Sequence, residues 1–194
     1  MGRKDLSDER RNQILDAFEL CIIESGLFGA TLTTVAEKAK INRGQIHQYI
    51  GDRNALLSAL VERLIESCRA EFSNYLEIFR EKPNLDIILE YFFDEWGEVD
   101  SYDDLIIDAL VAESAHNSHL QKLVLGAYSI LENELKKILQ ELHPNTSLDR
   151  CQNVAYAIMS MAYGNSTMMW LGFDRARLPE IRSLAKSLVK TLET

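Results

Sequence analysis

From Leu56 to Leu76 apolar residues return every three or four positions, at Leu56, Leu57, Leu60, Leu64, Cys68, Phe72 and Leu76. That spacing draws one apolar stripe along a helix, whereas a half-buried strand would show alternation. A stripe this long has to be covered by other elements, and the chain supplies further helices to do so. Ile14, Ala17, Phe18, Cys21 and Ile22 predict a helix from about Ser7 or Asp8 to Ser25. The long helix itself reads from near Asp52 to about Arg80, followed by one over about 84–97 with Ile87, Ile88, Tyr91, Phe92 and Trp96. Further helices are predicted from Tyr102 to Ala115, His119 to Leu142, Leu148 to Leu171 and Pro179 to Leu192. The three prolines fall between or at the start of these segments, where the missing N–H is harmless. No segment alternates and no internal repeat is visible. The expected fold class is all-α.

Between the first helix and the long one lies Thr31–Leu57, TLTTVAEKAKINRGQIHQYIGDRNALL. Thr31 is placed to cap a helix beginning at Leu32, with Val35, Ala36 and Ala39 on its inner face. Lys40, Ile41 and Asn42 form a break, and Asn42 is placed to cap a second short helix. Ile46 and Ile50, one turn apart, give that helix its inward side. Its outward side carries Gly44, Gln45 and Gln48, flanked by Arg43, His47 and Tyr49. Two short helices joined by a tight turn form the pattern of a helix-turn-helix, whose second helix enters the major groove of DNA. Arg43, Gln45 and Gln48 suit base edges, because Arg pairs with guanine and Gln with adenine. Thr31, Thr33, Tyr49 and Arg53 suit phosphates, Gly44 lets the backbone approach the groove wall, and His47 fits either role.

Residues 11 to 57 resemble the DNA-binding domain of the TetR (tetracycline-repressor-like) family. The resemblance rests on Gly26-Leu27-Phe28, Thr31, Val35-Ala36, Ala39, Ile41-Asn42, Gly44, Tyr49, Arg53 and Leu56-Leu57. The run Tyr49-Ile50-Gly51-Asp52-Arg53-Asn54 is similar to the betaine-pathway repressor subgroup. Lys40 stands where a turn glycine is usual, His47 where Tyr is common and Ile50 where Phe is common. If the usual turn is kept, Lys40 must adopt a positive φ. Phe28 is expected to pack under the two short helices.

The resemblance implies a three-helix DNA-binding domain over 1–57 and a helical ligand-binding and dimerisation domain over 58–194. It further implies a homodimer on a pseudo-palindromic double-stranded operator, acting as a repressor released by an unknown small molecule. The helices His119–Leu142 and Leu148–Leu171 are expected to form the interface. They are antiparallel by their short connection and hold more apolar positions than one buried stripe needs, though that surplus fits the subunit's own core as well. No cofactor, metal or membrane partner is implied. A helical adaptor with a degenerate helix-turn-helix is the alternative, and Lys40 in the turn is its main support.

Charge bears on this reading through its distribution. The net charge is −9, yet residues 1–56 hold eight basic and eight acidic side chains against thirteen and twenty-two in 57–194. DNA affinity follows local phosphate neutralisation, so the acidic excess outside the motif does not argue against it. The basic groups of the first region are Arg3, Lys4, Arg10, Arg11, Lys38, Lys40, Arg43 and Arg53. The N-terminus lacks the apolar stretch of a secretory signal and no apolar run approaches the ~18 residues of a membrane span, so a cytoplasmic protein is expected. Cys21, Cys68 and Cys151 have no CxxC spacing and read as small buried hydrophobes in a reducing compartment, with redox sensing by Cys68 or Cys151 as the other reading.

Candidate walls of an effector pocket are Phe72, Tyr75, Phe92, Trp96, Tyr128, Met159, Tyr163 and Trp170, although aromatic and Met residues at helical spacing also make ordinary core. Asp94, Glu95 and Glu98 beside Trp96 would favour a cationic ligand. Glu113-x-x-His116 is half of a di-iron pattern whose second copy is missing, and Gly164–Met168 lacks the second glycine of a nucleophile elbow. No catalytic constellation emerges.

Overall fold

A computed structural model of the chain describes residues 3–93 and 102–193, with side chains described from residue 6 to 93 and from 104 to 193. Among the described residues there are nine α-helices and no strand: α1 (Arg3–Gly29), α2 (Leu32–Lys38), α3 (Arg43–Tyr49), α4 (Arg53–Glu81), α5 (Leu85–Phe93), α6 (Tyr102–Ser114), α7 (Ser118–Leu142), α8 (Leu148–Trp170) and α9 (Leu178–Lys190). The all-α expectation holds. Helix α1 begins at Arg3, before the expected Ser7 or Asp8.

Packing divides the described chain into two compact units. The first holds α1, α2, α3, α4 up to Ser67, α6 and α7 up to Ala127; the second holds the rest of α4 and α7 with α5, α8 and α9. The division falls within α4, between Ser67 and Cys68, and within α7, between Ala127 and Tyr128.

The first unit closes around Ile14, Phe18, Ile22, Val35, Ile46, Leu56 and Leu60, all essentially without solvent contact. These are the inward positions of α1 to α4, so the spacing of the sequence is the spacing of the core. Ion pairs brace the outside of the same helices, with Arg63 of α4 against Asp16 at 2.6 Å and Glu19 at 3.5 Å, and Arg11 against Glu62 at 3.6 Å. The second unit packs Tyr91, Phe92, Phe93, Ile88 and Leu89 of α5 against Leu135 and Leu139 of α7, Ile158 of α8 and Ala185 and Val189 of α9. Lys186 of α9 pairs with Asp86 of α5 at 2.7 Å, and the Arg182 guanidinium donates to the Asp86 carbonyl at 2.7 Å.

Gly26 corrects one expectation. Its φ of 67° and ψ of 172° break the helical path inside α1, a conformation that glycine adopts without a side-chain clash. The chain re-enters a turn with its register rotated, so Leu27 is buried while Phe28 is 94% exposed. Phe28 therefore does not pack under the two short helices. The break comes one residue after Ser25, the expected end of the first helix.

Candidate nucleic-acid interface

The two short helices are fixed by their own ends. Thr31 caps α2, its hydroxyl oxygen accepting from the Thr34 N–H at 3.2 Å, while the Thr34 hydroxyl donates to the Gly29 carbonyl at 3.0 Å. Asn42 caps α3 in a reciprocal box. Its side-chain oxygen accepts from the Gln45 N–H at 2.9 Å, and the Gln45 side-chain oxygen accepts from the Asn42 N–H at 3.0 Å. Both arrangements satisfy donors that a first helical turn leaves unpaired.

The turn between them closes in the manner the sequence demands. Lys40 has φ 54° and is the non-glycine residue with positive φ among the described residues. Its N–H donates to the Glu37 carbonyl at 3.1 Å, and the Ile41 N–H donates to the Ala36 carbonyl at 3.0 Å. Together these are the two bonds of a Schellman end, normally built on glycine. The Gln13 amide of α1 adds a bond to the Ala39 carbonyl at 2.7 Å. A left-handed backbone at a side-chain-bearing residue costs about 1–2 kcal/mol. Here the hydrogen bonds around the turn hold it in place, so the helix-turn-helix is intact and the degenerate-motif alternative loses its support.

With Ile46 fully buried as the anchor, α3 turns Arg43, Gly44, His47 and Gln48 to solvent. Their spacings of one, three, four and five residues place them on one strip of the helix. This strip is the exposed face of α3. Gly44 has a second reason to lack a side chain, since an added Cβ would sit 3.1 Å from the capping oxygen of Asn42. Tyr49 is half-buried against the first core, with its ring packed beside the strip. Thr33 is exposed on α2.

Two of the sequence-picked residues have different surroundings from those expected. Gln45 is half-buried, and its carbonyl oxygen belongs to the capping box. Arg53 turns inward, one guanidinium nitrogen donating to the Ala30 carbonyl at 2.6 Å and another to the Leu27 carbonyl at 2.7 Å. Those carbonyls belong to the frayed end of α1, which lacks helical partners for them.

The basic groups sort in the same way. Lys38 lies 2.6 Å from Glu24, which holds its ammonium above the usual lysine range. Arg11 pairs with Glu62, and Arg10 donates to the Gln13 side chain at 2.6 Å. Lys40 and Arg43, flanking the start of α3, have no ion pair among the described residues. Burial pushes the thiols of Cys21 and Cys151 up, as expected for packed cysteines.

In the second unit, Phe72, Tyr75 and Phe92 are brought together around Tyr91, a residue absent from the sequence-derived pocket list. Tyr91 is fully buried, with ring centroids 4.8 Å from Phe72, 5.5 Å from Tyr75 and 5.1 Å from Phe92. Tyr128 and Tyr163 meet edge-on at 6.0 Å, and Met159 lies in the same core. Trp170 is half-buried at the end of α8. Trp96, with Asp94, Glu95 and Glu98, lies outside the described residues. A cleft of about 520 Å³ occurs in the first unit, lined by residues of α1 from Glu9 to Leu20 and by Lys38, Ala39 and Lys40. Among the described residues no three metal-ligating side chains gather.

No protein-family model matches the chain. The HTH-type transcriptional regulator BetI of Paraburkholderia phymatum is 38% identical over 65 residues, which are 34% of this chain and a third (33%) of that relative's length. The regulator of the same name from Escherichia coli is 26% identical over 194 residues, covering 98% of this chain and 95% of the relative. Among solved structures, a TetR transcription regulator from Haloarcula marismortui superposes with a TM-score of 0.78 at 14% identity, over 95% of this chain and 98% of that one. At that identity the superposition speaks to the fold alone.

Proposed function

We propose that this chain is a DNA-binding transcriptional regulator of the TetR family, acting as a homodimeric repressor released by a small molecule. The observation that carries the DNA-reading part is the strip Arg43–Gly44–His47–Gln48 on a helix capped at its start and anchored by Ile46. In this reading Arg43 and Gln48 meet base edges, and Gln45 adds its amide donor from the flank. Thr31, Thr33 and the Tyr49 hydroxyl hold phosphates, and His47 meets whichever edge or phosphate faces it. Arg53 becomes a positioning residue that ties the start of α4 to the end of α1.

The reading divides the labour between residues 1–57, which read DNA, and residues 58–194, which sense and dimerise. The exposed large apolar side chains of the second unit point to the dimer face. Besides Ile78 on α4, they are Leu148, Tyr156 and Met168 on α8, Leu171 and Phe173 after it, and Leu184 on α9. We therefore move the proposed interface from the α7–α8 pair of the sequence expectation to α8 and α9. A second copy laid on this face presents two α3 helices to one pseudo-palindromic operator, as two-fold symmetry requires. The aromatic side chains around Tyr91 and the Tyr128–Tyr163 pair supply the apolar surroundings that a small organic effector would enter. Among the described residues no helix is long and apolar enough to cross a membrane, in keeping with work on cytoplasmic DNA.

The test is a pair of variants on an operator recovered from random-sequence duplex by selection with the wild-type protein. Gln48→Ala is expected to relax sequence choice at one position of each half-site, by roughly 1–3 kcal/mol of lost discrimination. Tyr49→Phe keeps the packed ring and is expected to weaken every duplex alike. Wild-type affinity and preference in both would refute the assignment, and a monomer on size-exclusion chromatography would refute the dimer.

A further inference from the structure

The turn residue Lys40 combines three properties that are not required of a linker. Its backbone is left-handed at φ 54°, where glycine would sit without strain. Its side chain is exposed and, among the described residues, makes no ion pair, whereas its neighbour Lys38 is neutralised by Glu24 at 2.6 Å. It also stands two residues before the α3 cap Asn42 and three before Arg43, which likewise has no ion pair among the described residues.

A strained residue persists where the surrounding structure fixes it, and such residues gather at sites of function. The bonds from Lys40 and Ile41 to α2, with the Gln13 amide on Ala39, provide that fixing. Nothing in those bonds uses the lysine side chain, since all of them are made by backbone groups or by Gln13. The strain therefore has no return within the unit. Helices that read the major groove are held in register by phosphate contacts from the residues around them. A lysine answers a phosphate as a mobile point charge, needing no fixed fork geometry. The acidic side chains of the adjacent cleft are Glu9 and Asp16, and among the described residues neither is ion-paired with Lys40; Asp16 is paired with Arg63 at 2.6 Å. The Lys40 ammonium is thus available to a duplex.

Building on the reading of this chain as a DNA-binding regulator, we propose that Lys40 is a phosphate-contacting residue of the operator complex, one per recognition helix. Its contribution is to affinity and salt dependence and not to base preference.

The experiment measures affinity of the full-length dimer for the selected operator duplex and for a random duplex across a salt series. Lys40→Gly and Lys40→Asn both suit a left-handed backbone and remove the charge. Both are expected to weaken the operator and the random duplex alike, by roughly tenfold at moderate salt. The slope of log affinity against log salt should fall by about one for each α3 engaged, so about two for a dimer. Lys40→Arg keeps the charge and is expected to stay within about twofold of wild type. Lys40→Gly should meanwhile melt a few degrees higher than wild type, because strain is removed. Stability rising while affinity falls is a combination that a merely tolerated lysine would not give. Wild-type affinity and slope in the two neutral variants would overturn the proposal, as would a loss confined to the operator. If the wild-type protein selects no duplex, the regulator reading itself fails, and the selection step shows this before any variant is made.

Discussion

The two compact units hold their informative residues in opposite ways. In the first, the residues proposed to read DNA are turned out, with Arg43, Gly44, His47 and Gln48 on a short helix whose hydrophobic anchor is a single fully buried isoleucine. In the second they are turned in, with Tyr91 and Phe92 having almost no solvent contact and four aromatic rings meeting at one place. A surface that reads a polymer has to be presented before the partner arrives, so its chemistry shows in the free protein. A site that encloses a small molecule is hidden among side chains that also make the core. The same aromatic residue is therefore weak evidence of function in the second unit, while a short polar strip is strong evidence in the first.

The contrast can be broken by substitution. The largest effect is expected from Phe92→Ala, which empties the aromatic cluster and should cost about 3–5 kcal/mol in denaturant unfolding. If this residue serves the core and lies outside the reading face, the folded fraction should keep the wild-type operator preference. A changed preference would join the two regions that the comparison separates. A smaller loss, about 1.5–3 kcal/mol, is expected for Arg53→Ala, because two charge-assisted bonds to the Leu27 and Ala30 carbonyls vanish. Unchanged stability together with a reduced salt slope would return Arg53 to the phosphate role that its position in the sequence suggests. The smallest effect belongs to Phe28→Ser, expected to lie within about 0.5 kcal/mol of wild type by thermal melting. A loss above about 1 kcal/mol would show that Phe28 packs after all.

Much of this arrangement was legible before any coordinates. The caps at Thr31 and Asn42 and the inward Ile46 follow from rules that act over four or five residues, and the structure has each of them. The positive φ of Lys40 was implied by the resemblance if its usual turn is kept, and the turn is kept. The end of the continuous α1 helix at Gly26 was legible for the same reason. What was not legible depends on partners distant in the chain. Arg53 and Thr31 look alike as phosphate candidates, yet Arg53 reaches back across the α1–α4 contact to two carbonyls, and no local pattern announces that. Leu27 and Phe28 are adjacent and both apolar. Which one is buried is set by the rotation at Gly26 and by the space left between α1, α2 and α4. Tyr91 escaped the pocket list because a helical stripe shows that a ring points inward without showing which other rings it meets.

By itself, then, the amino-acid sequence determined the helices, their caps and the resemblance that the two short helices carry. These rest on spacing and on hydrogen bonds between near neighbours. The tertiary structure decided which basic groups are neutralised within the protein and which stay open to a partner. Glu24 answers Lys38, Glu62 answers Arg11, Gln13 answers Arg10 and the end of α1 answers Arg53, leaving Lys40 just before α3 and Arg43 at its start. Charge pairing depends on distance in space, and that distance is fixed only when the helices have packed.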